Sequence, residues 1–155
     1  MAWRINGDHT ARAATVLQEL LPMVNPSEDH RTLYVSEGAE SGFCIEADRE
    51  KISIQYHDLR DLARGLLEAA SCPSEGGTIQ RRCTFPDFGV MVDISRNAVL
   101  RPEAARKLIR LCALMGYSFV GLYMEDTIDI PGEPYFGYQR GAMTPEEVKD
   151  LDQYA

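Results

Sequence analysis

Two apolar strands framing one amphipathic helix set the tightest constraint on what this chain can become. Gly89-Val90-Met91-Val92-Asp93-Ile94 runs almost without a polar residue and ends in Ser95-Arg96-Asn97. Pro102 then stands at the first turn of a helix whose face is Ala105, Leu108, Ile109, Cys112 and Met115, and Gly116 closes it just past the C-cap. A second apolar run, Phe119 to Met124, follows and ends in Glu125-Asp126. Strand, helix, strand in this form is one βα unit and the strand of the next, which predicts parallel pairing with both faces buried. A (β/α)₈ barrel needs eight such units and typically about 250 residues. A series that halts after two strands closes neither a sheet nor a barrel, so the 155 residues read as the front end of a larger protein.

The preceding half has a different rhythm. From His9 to Leu21 the positions Ala13, Ala14, Leu17, Leu20 and Leu21 recur at helical spacing, with Thr10 as N-cap and Pro22 ending the run. Three short alternating runs come next: Leu33 and Val35, then Phe43, Ile45 and Ala47, then Ile52, Ile54 and Tyr56. The turns between them, Gly38 to Gly42 and Asp48 to Lys51, predict a small antiparallel sheet. Asp58 is placed to cap a second helix, in which Leu59, Leu62, Ala63, Leu66, Leu67 and Ala70 form a stripe able to cover one sheet face. After Pro73-Ser74-Glu75-Gly76-Gly77, Thr78 to Thr84 reads as a fourth strand. The expected fold is therefore α/β: a small α/β domain over 1–84 (helix, antiparallel sheet, helix, strand), followed over 85–155 by the first βα units of a truncated (β/α)₈ barrel. Beyond Asp126 lies a loop rich in Pro, Gly and aromatic residues, Ile130 to Tyr138. Thr144-Pro145-Glu146-Glu147 then announces a last helix with a capping box, whose face begins at Val148 and Leu151.

Composition narrows the function. Sixteen Lys and Arg against 24 Asp and Glu leave a net charge of −8 with no basic cluster, which argues against nucleic acid or an anionic membrane surface as partner. Apolar runs such as Leu111 to Met115 fall far short of the roughly 20 residues of a spanning helix. Met1 to Thr10 lacks the pattern of a signal peptide, so a cytoplasmic location is expected. Cys44, Cys72, Cys83 and Cys112 lie far apart, with no His at zinc-ligand spacing, and read as free thiols. His9, His30 and His57 have no Ser or Cys partner in a recognisable motif. Glu46 with Asp48 flanks a hairpin turn, and Asp58 with Asp61 decorates a helix start that favours acids. No nucleophile, metal or cofactor is expected. Trp3 is expected to pack onto the first helix.

Phe88-Gly-Val-Met-Val-Asp-Ile-Ser-Arg-Asn-Ala98 resembles the first barrel strand of family 20 glycoside hydrolases, the β-N-acetylhexosaminidases. The resemblance extends through Leu111 to Tyr117, Leu122 to Thr127, Gly132 to Tyr138 and Met143 to Val148, and so covers about residues 85 to 155; the first half is similar to the family's small non-catalytic domain in element order. The resemblance implies a parent enzyme that hydrolyses terminal N-acetylhexosamine from glycans with retention and with help from the substrate's own acetamido group, without a cofactor. The family's catalytic Asp-Glu pair lies at the end of the fourth strand, so this stretch lacks it and is expected to be inactive alone. Arg96 matches the arginine that clamps the 3- and 4-hydroxyls of the terminal sugar; it can also simply pair with Asp93. Glu125 and Asp126 stand where most of the family has Asp-Asp-Gln-Gly-Trp, either organising the active-site rim or bonding loop backbone, and Thr127-Ile128-Asp129 departs from that run. Tyr135, Phe136 and Tyr138 offer an aromatic wall or loop packing. The alternative function is a non-catalytic binding or oligomerisation module. Either way, exposed strand faces after about residue 85 predict a homo-oligomer.

Overall fold

The computed structural model describes residues 3–6, 10–24, 29–96 and 98–155. The chain divides into two compact units: one runs to Asp87 and takes in Ala113–Ser118, and the other comprises Phe88–Cys112 and Phe119–Ala155.

The first unit is a helical pair on one face of a five-stranded sheet. Its elements are β1 (Arg4–Asn6), α1 (Ala11–Val24), β2 (Thr32–Glu37), β3 (Phe43–Ala47), β4 (Lys51–Tyr56), α2 (Leu59–Ala70) and β5 (Gly77–Arg81), with strand order β1-β2-β4-β3-β5. The sheet is mixed, which corrects the antiparallel expectation. β1, β2 and β4 are parallel, and only β3 runs against its neighbours β4 and β5. The cause is the Gly38–Gly42 segment, which is not a hairpin turn. It straps across the end of β4, where Gly38 and Ala39 N–H both donate to the Tyr56 carbonyl and His57 N–H donates to Gly42. β4 therefore lies between β2 and β3. The register aligns Leu33 with Ile52, Val35 and Ile45 with Ile54, and Phe43 with Tyr56 on a single apolar face. Leu17 and Leu20 of α1 and Leu62 and Leu66 of α2 join these residues in the core, as does Trp3. Gly65 lets α2 approach: a Cβ there would stand 3.1 Å from Ile54 Cγ2. The opposite face carries Tyr34, Ser36, Glu46 and Gln55, which are exposed.

Local capping explains most helix ends. Thr10 Oγ1 accepts from Ala13 N–H at 3.2 Å, and Asp58 accepts from Asp61 N–H at 2.9 Å. Pro22 does not end α1, which continues to Val24 because Leu21 and Val24 on either side of the proline are buried in the core. β5 stops at Arg81, short of Thr84, where its pairing to β3 runs out. The three residues of β1, all exposed, carried no side-chain pattern to announce them. Ahead of β2, the buried Arg31 binds both oxygens of Asp29 and donates to the Cys72 and Pro73 carbonyls, tying that segment to the end of α2.

The second unit contains β6 (Gly89–Asp93), α3 (Pro102–Leu114, its last two residues counted with the first unit), β7 (Phe119–Tyr123) and α4 (Pro145–Tyr154). β6 and β7 pair in parallel, from Gly89 against Phe119 to Asp93 against Tyr123. Val92 and Leu122 face a small core of Ile94, Ala105, Met143 and Leu151. The other face is not buried: Met91 is 70% and Phe119 52% exposed. The expectation of burial on both faces fails because helices of this unit supply cover on one side only. Met115, expected on the buried face of α3, lies past the helix end and is exposed. The α4 capping box is complete, with Thr144 and Glu147 each accepting the other's backbone N–H. No helix among the described residues is long and apolar enough to cross a membrane.

Candidate functional site

Parallel strands bring their C-terminal ends together, and those of β6 and β7 carry a cluster of interacting polar residues. At the end of β6, Asp93 Oδ1 accepts from Ser95 Oγ at 2.7 Å, Ser95 N–H at 2.9 Å and Arg96 N–H at 3.3 Å. These donors, the Ser95 hydroxyl first, hold the Asp93 carboxyl below the usual carboxylate range. They also fold the chain so that Arg96 turns back over the strand ends. Its Nη1 lies 3.1 Å from Asp93 Oδ2 and its Nη2 3.8 Å from Glu125 Oε1. The guanidinium carbon stands 5.7 Å from the centre of the Tyr123 ring. Tyr123 Oη donates to Glu125 Oε1 at 3.0 Å, and that bond pushes the phenol pKa up.

Asp93, Arg96, Tyr123 and Glu125 thus form one cluster. The Arg96 side chain remains 69% exposed, so the two carboxylates orient it without enclosing it. A guanidinium has five N–H donors. One close ion pair, to Asp93, and one longer, to Glu125, leave some of them to offer to a ligand, and a planar fork suits two adjacent hydroxyls. Pairing with Asp93 and availability for binding are therefore compatible for Arg96.

Asp126 points elsewhere. Its Oδ1 is 3.1 Å from Arg140 Nη1, and its carbonyl oxygen would be 2.5 Å from a Cβ at Gly137, whose φ is +70°. Glu125 therefore joins Arg96, whereas Asp126 fastens the loop that follows. Ile128 bridges to Met143, Asp129 N–H donates to the Met143 carbonyl and Met143 N–H to that of Thr127, each at 2.9 Å, so the loop is closed at its base. Beyond it, the Tyr135 and Tyr138 rings meet edge to face, centroids 6.3 Å apart.

Tyr123 and Arg140 carry no motif and were not anticipated. The signal for Tyr123 lay in the register: once β6 and β7 are parallel and Asp93 opposes Tyr123, the two share a face and Arg96, three residues on, comes to lie over the ring. Among the described residues, no three His, Cys, Asp or Glu side chains are gathered to hold a metal ion.

No family model matches the sequence, and no match is found among curated proteins. Solved structures do match. The β-N-acetylhexosaminidase of the GH20 group from Streptomyces coelicolor A3(2) superposes with a TM-score of 0.77 over 98% of this chain, at 19% identity. The fold is that of the GH20 β-N-acetylhexosaminidases. A D313A variant of Streptomyces plicatus β-hexosaminidase, solved with its product GlcNAc, has the same TM-score and identity. The GH20 exo-β-N-acetylglucosaminidase of Vibrio harveyi, bound to N-acetylglucosamine, gives a TM-score of 0.69 at 16% identity over 99% of this chain. This chain spans 39% of the length of each of the two Streptomyces enzymes and 31% of the Vibrio one.

Proposed function

We propose that this chain is the N-terminal portion of a retaining β-N-acetylhexosaminidase, with residues 1–84 as its small non-catalytic domain and 85–155 as the first strand, helix and second strand of the barrel. The observation that carries the reading is Arg96, held between Asp93 and Glu125 yet open to solvent at the C-terminal end of a parallel strand pair, where barrel enzymes build their sites. In this reading the Arg96 fork donates to the 3- and 4-hydroxyls of a terminal N-acetylhexosamine. The Asp93 and Glu125 carboxylates fix its direction before the sugar arrives, so little side-chain freedom is lost on binding. Glu125 thereby acts through Arg96 at the rim, and Asp126 sets the loop beside it. The acetamido oxygen of the substrate attacks the anomeric carbon, and a neighbouring acid protonates the leaving oxygen. The carboxylate pair for those steps belongs to strands beyond residue 155, so the 155-residue chain alone turns nothing over.

The test is a chromogenic N-acetyl-β-glucosaminide presented to this chain and to a polypeptide carrying the remaining barrel strands. Turnover is expected only in the longer one. There Arg96→Ala should lower kcat/KM about 100-fold, the scale of two lost charge-assisted hydrogen bonds. Turnover that survives Arg96→Ala unchanged refutes the clamp.

One observation favours a second reading, a non-catalytic module that associates with its own copies. Met91 and Phe119 form an uncovered apolar face on β6 and β7. A stable dimer of the 155-residue chain, together with an inactive longer polypeptide, would put that reading first.

A further inference from the structure

The segment between Asp126 and Met143 is a built scaffold. Beyond its closed base, its backbone folds through successive turns, Glu133 N–H to the Ile130 carbonyl, Phe136 to Glu133, Tyr138 to Tyr135 and Arg140 to Gly137. Gly137 supplies the positive φ that brings the segment against the Asp126 carbonyl, and Arg140 clamps the Asp126 side chain. On this scaffold Tyr135 is 85% and Tyr138 66% exposed, their rings held edge to face. Neither tyrosine belongs to the core of the second unit, which is made by Ile94, Ala105, Met143 and Leu151. Leaving two large rings in water forgoes burial worth about 25 cal/mol per Å², while the turns beneath them hold their positions.

The scaffold leaves the same end of the sheet as Arg96, because it follows β7 and β7 runs parallel to β6. It is also joined to the Arg96 cluster covalently and by charge: Arg140 pairs with Asp126, whose neighbour Glu125 pairs with Arg96. A terminal sugar gripped by an arginine fork is only one end of a glycan. Rings standing out on an exposed loop suit the part of that glycan which remains extended. The non-polar C–H face of a pyranose matches a tyrosine ring, and the phenol hydroxyl can meet the sugar's rim.

We propose that Tyr135 and Tyr138 form a stacking platform for the saccharide that leaves, the sugar next to the terminal N-acetylhexosamine. The proposal rests on the hydrolase reading above. It makes the loop a selector of substrates whose leaving group is itself a sugar. The platform holds that sugar in the ground state and the transition state alike, so its contribution falls on KM more than on kcat.

The test uses the longer polypeptide with two substrates, fully N-acetylated chitotriose and N-acetyl-β-glucosaminyl fluoride; the leaving group of the fluoride is too small to reach a platform. The quantity read is the ratio of kcat/KM for chitotriose to that for the fluoride. The double variant Tyr135→Ala/Tyr138→Ala should lower this ratio about tenfold, equivalent to about 1.4 kcal/mol, through a raised KM. Tyr135→Phe/Tyr138→Phe should restore most of it. An unchanged ratio in the alanine variant, whether both rates fall or neither does, overturns the platform and leaves the hydrolase reading standing. Wild-type polypeptide that hydrolyses neither substrate overturns both.

Discussion

At the scale of single residues, two arginines of this chain show how surroundings decide what a guanidinium does. Arg31 is buried and saturated. Its bonds reach both Asp29 oxygens, with Nη2 only 2.6 Å from Oδ2, and the carbonyls of Cys72 and Pro73. Burial alone would raise the Asp29 pKa, but the hydrogen bonds from Arg31 outweigh it and lower the pKa to about 2. A carboxyl depressed from its unfolded value of 3.8 stabilises the folded state fully above that value. The contribution is lost as pH falls from about 4 through about 2. Asp29→Asn should therefore lower stability at neutral pH by about 2 kcal/mol and flatten the acid limb of the stability curve over that window; urea unfolding at stepped pH measures both. Arg96, by contrast, keeps most of its surface in water, and its two carboxylates aim it outward. Its candidacy came from the resemblance of the stretch through Ser95-Arg96-Asn97-Ala98 to the first barrel strand of family 20 hydrolases, and an arginine fork at a strand's C-terminal end suits that role physically. Tyr123 was not legible, since nothing local distinguishes it from any other aromatic strand residue.

Helices here announce themselves and strands do not announce their partners. α2 and α4 begin where Asp58 and Thr144 place them, because a cap is an interaction among residues three apart. Thr144→Ala should destabilise the second unit by about 1 kcal/mol, and Thr144→Ser should recover most of that, readable from amide exchange of α4. Strand order is decided by contacts distant in sequence. The alternation in β2, β3 and β4 correctly marked which side chains face the core, yet the parallel pairing of β2 to β4 depends on a strap crossing the end of β4, a route that alternation does not encode. Pro22 shows the same asymmetry. A local rule would stop α1 there, and the buried Leu21 and Val24 carry the helix on.

For the molecule as a whole, the two units differ in how complete they are. The first has its apolar sheet face roofed by two helices; the second leaves Met91 and Phe119 uncovered on a two-stranded sheet. The 155-residue chain should therefore self-associate at micromolar concentration, and Met91→Lys with Phe119→Ser should return it to monomer with its circular dichroism unchanged. Sedimentation velocity decides this, and a wild-type monomer at all concentrations would contradict it. The first unit is also discontinuous in sequence: Leu114, 5% exposed, belongs to its core although β6 and all but the last residue of α3 separate it from Asp87. On the ribosome, then, the amino-terminal layer cannot be finished when its own strands have emerged. At about 5–20 residues per second, it waits a few seconds for Leu114 to appear, with β6 and nearly all of α3 already outside the tunnel and β7, the partner of β6, still to come, so the order of synthesis lets the first unit close before the second can pair its strands.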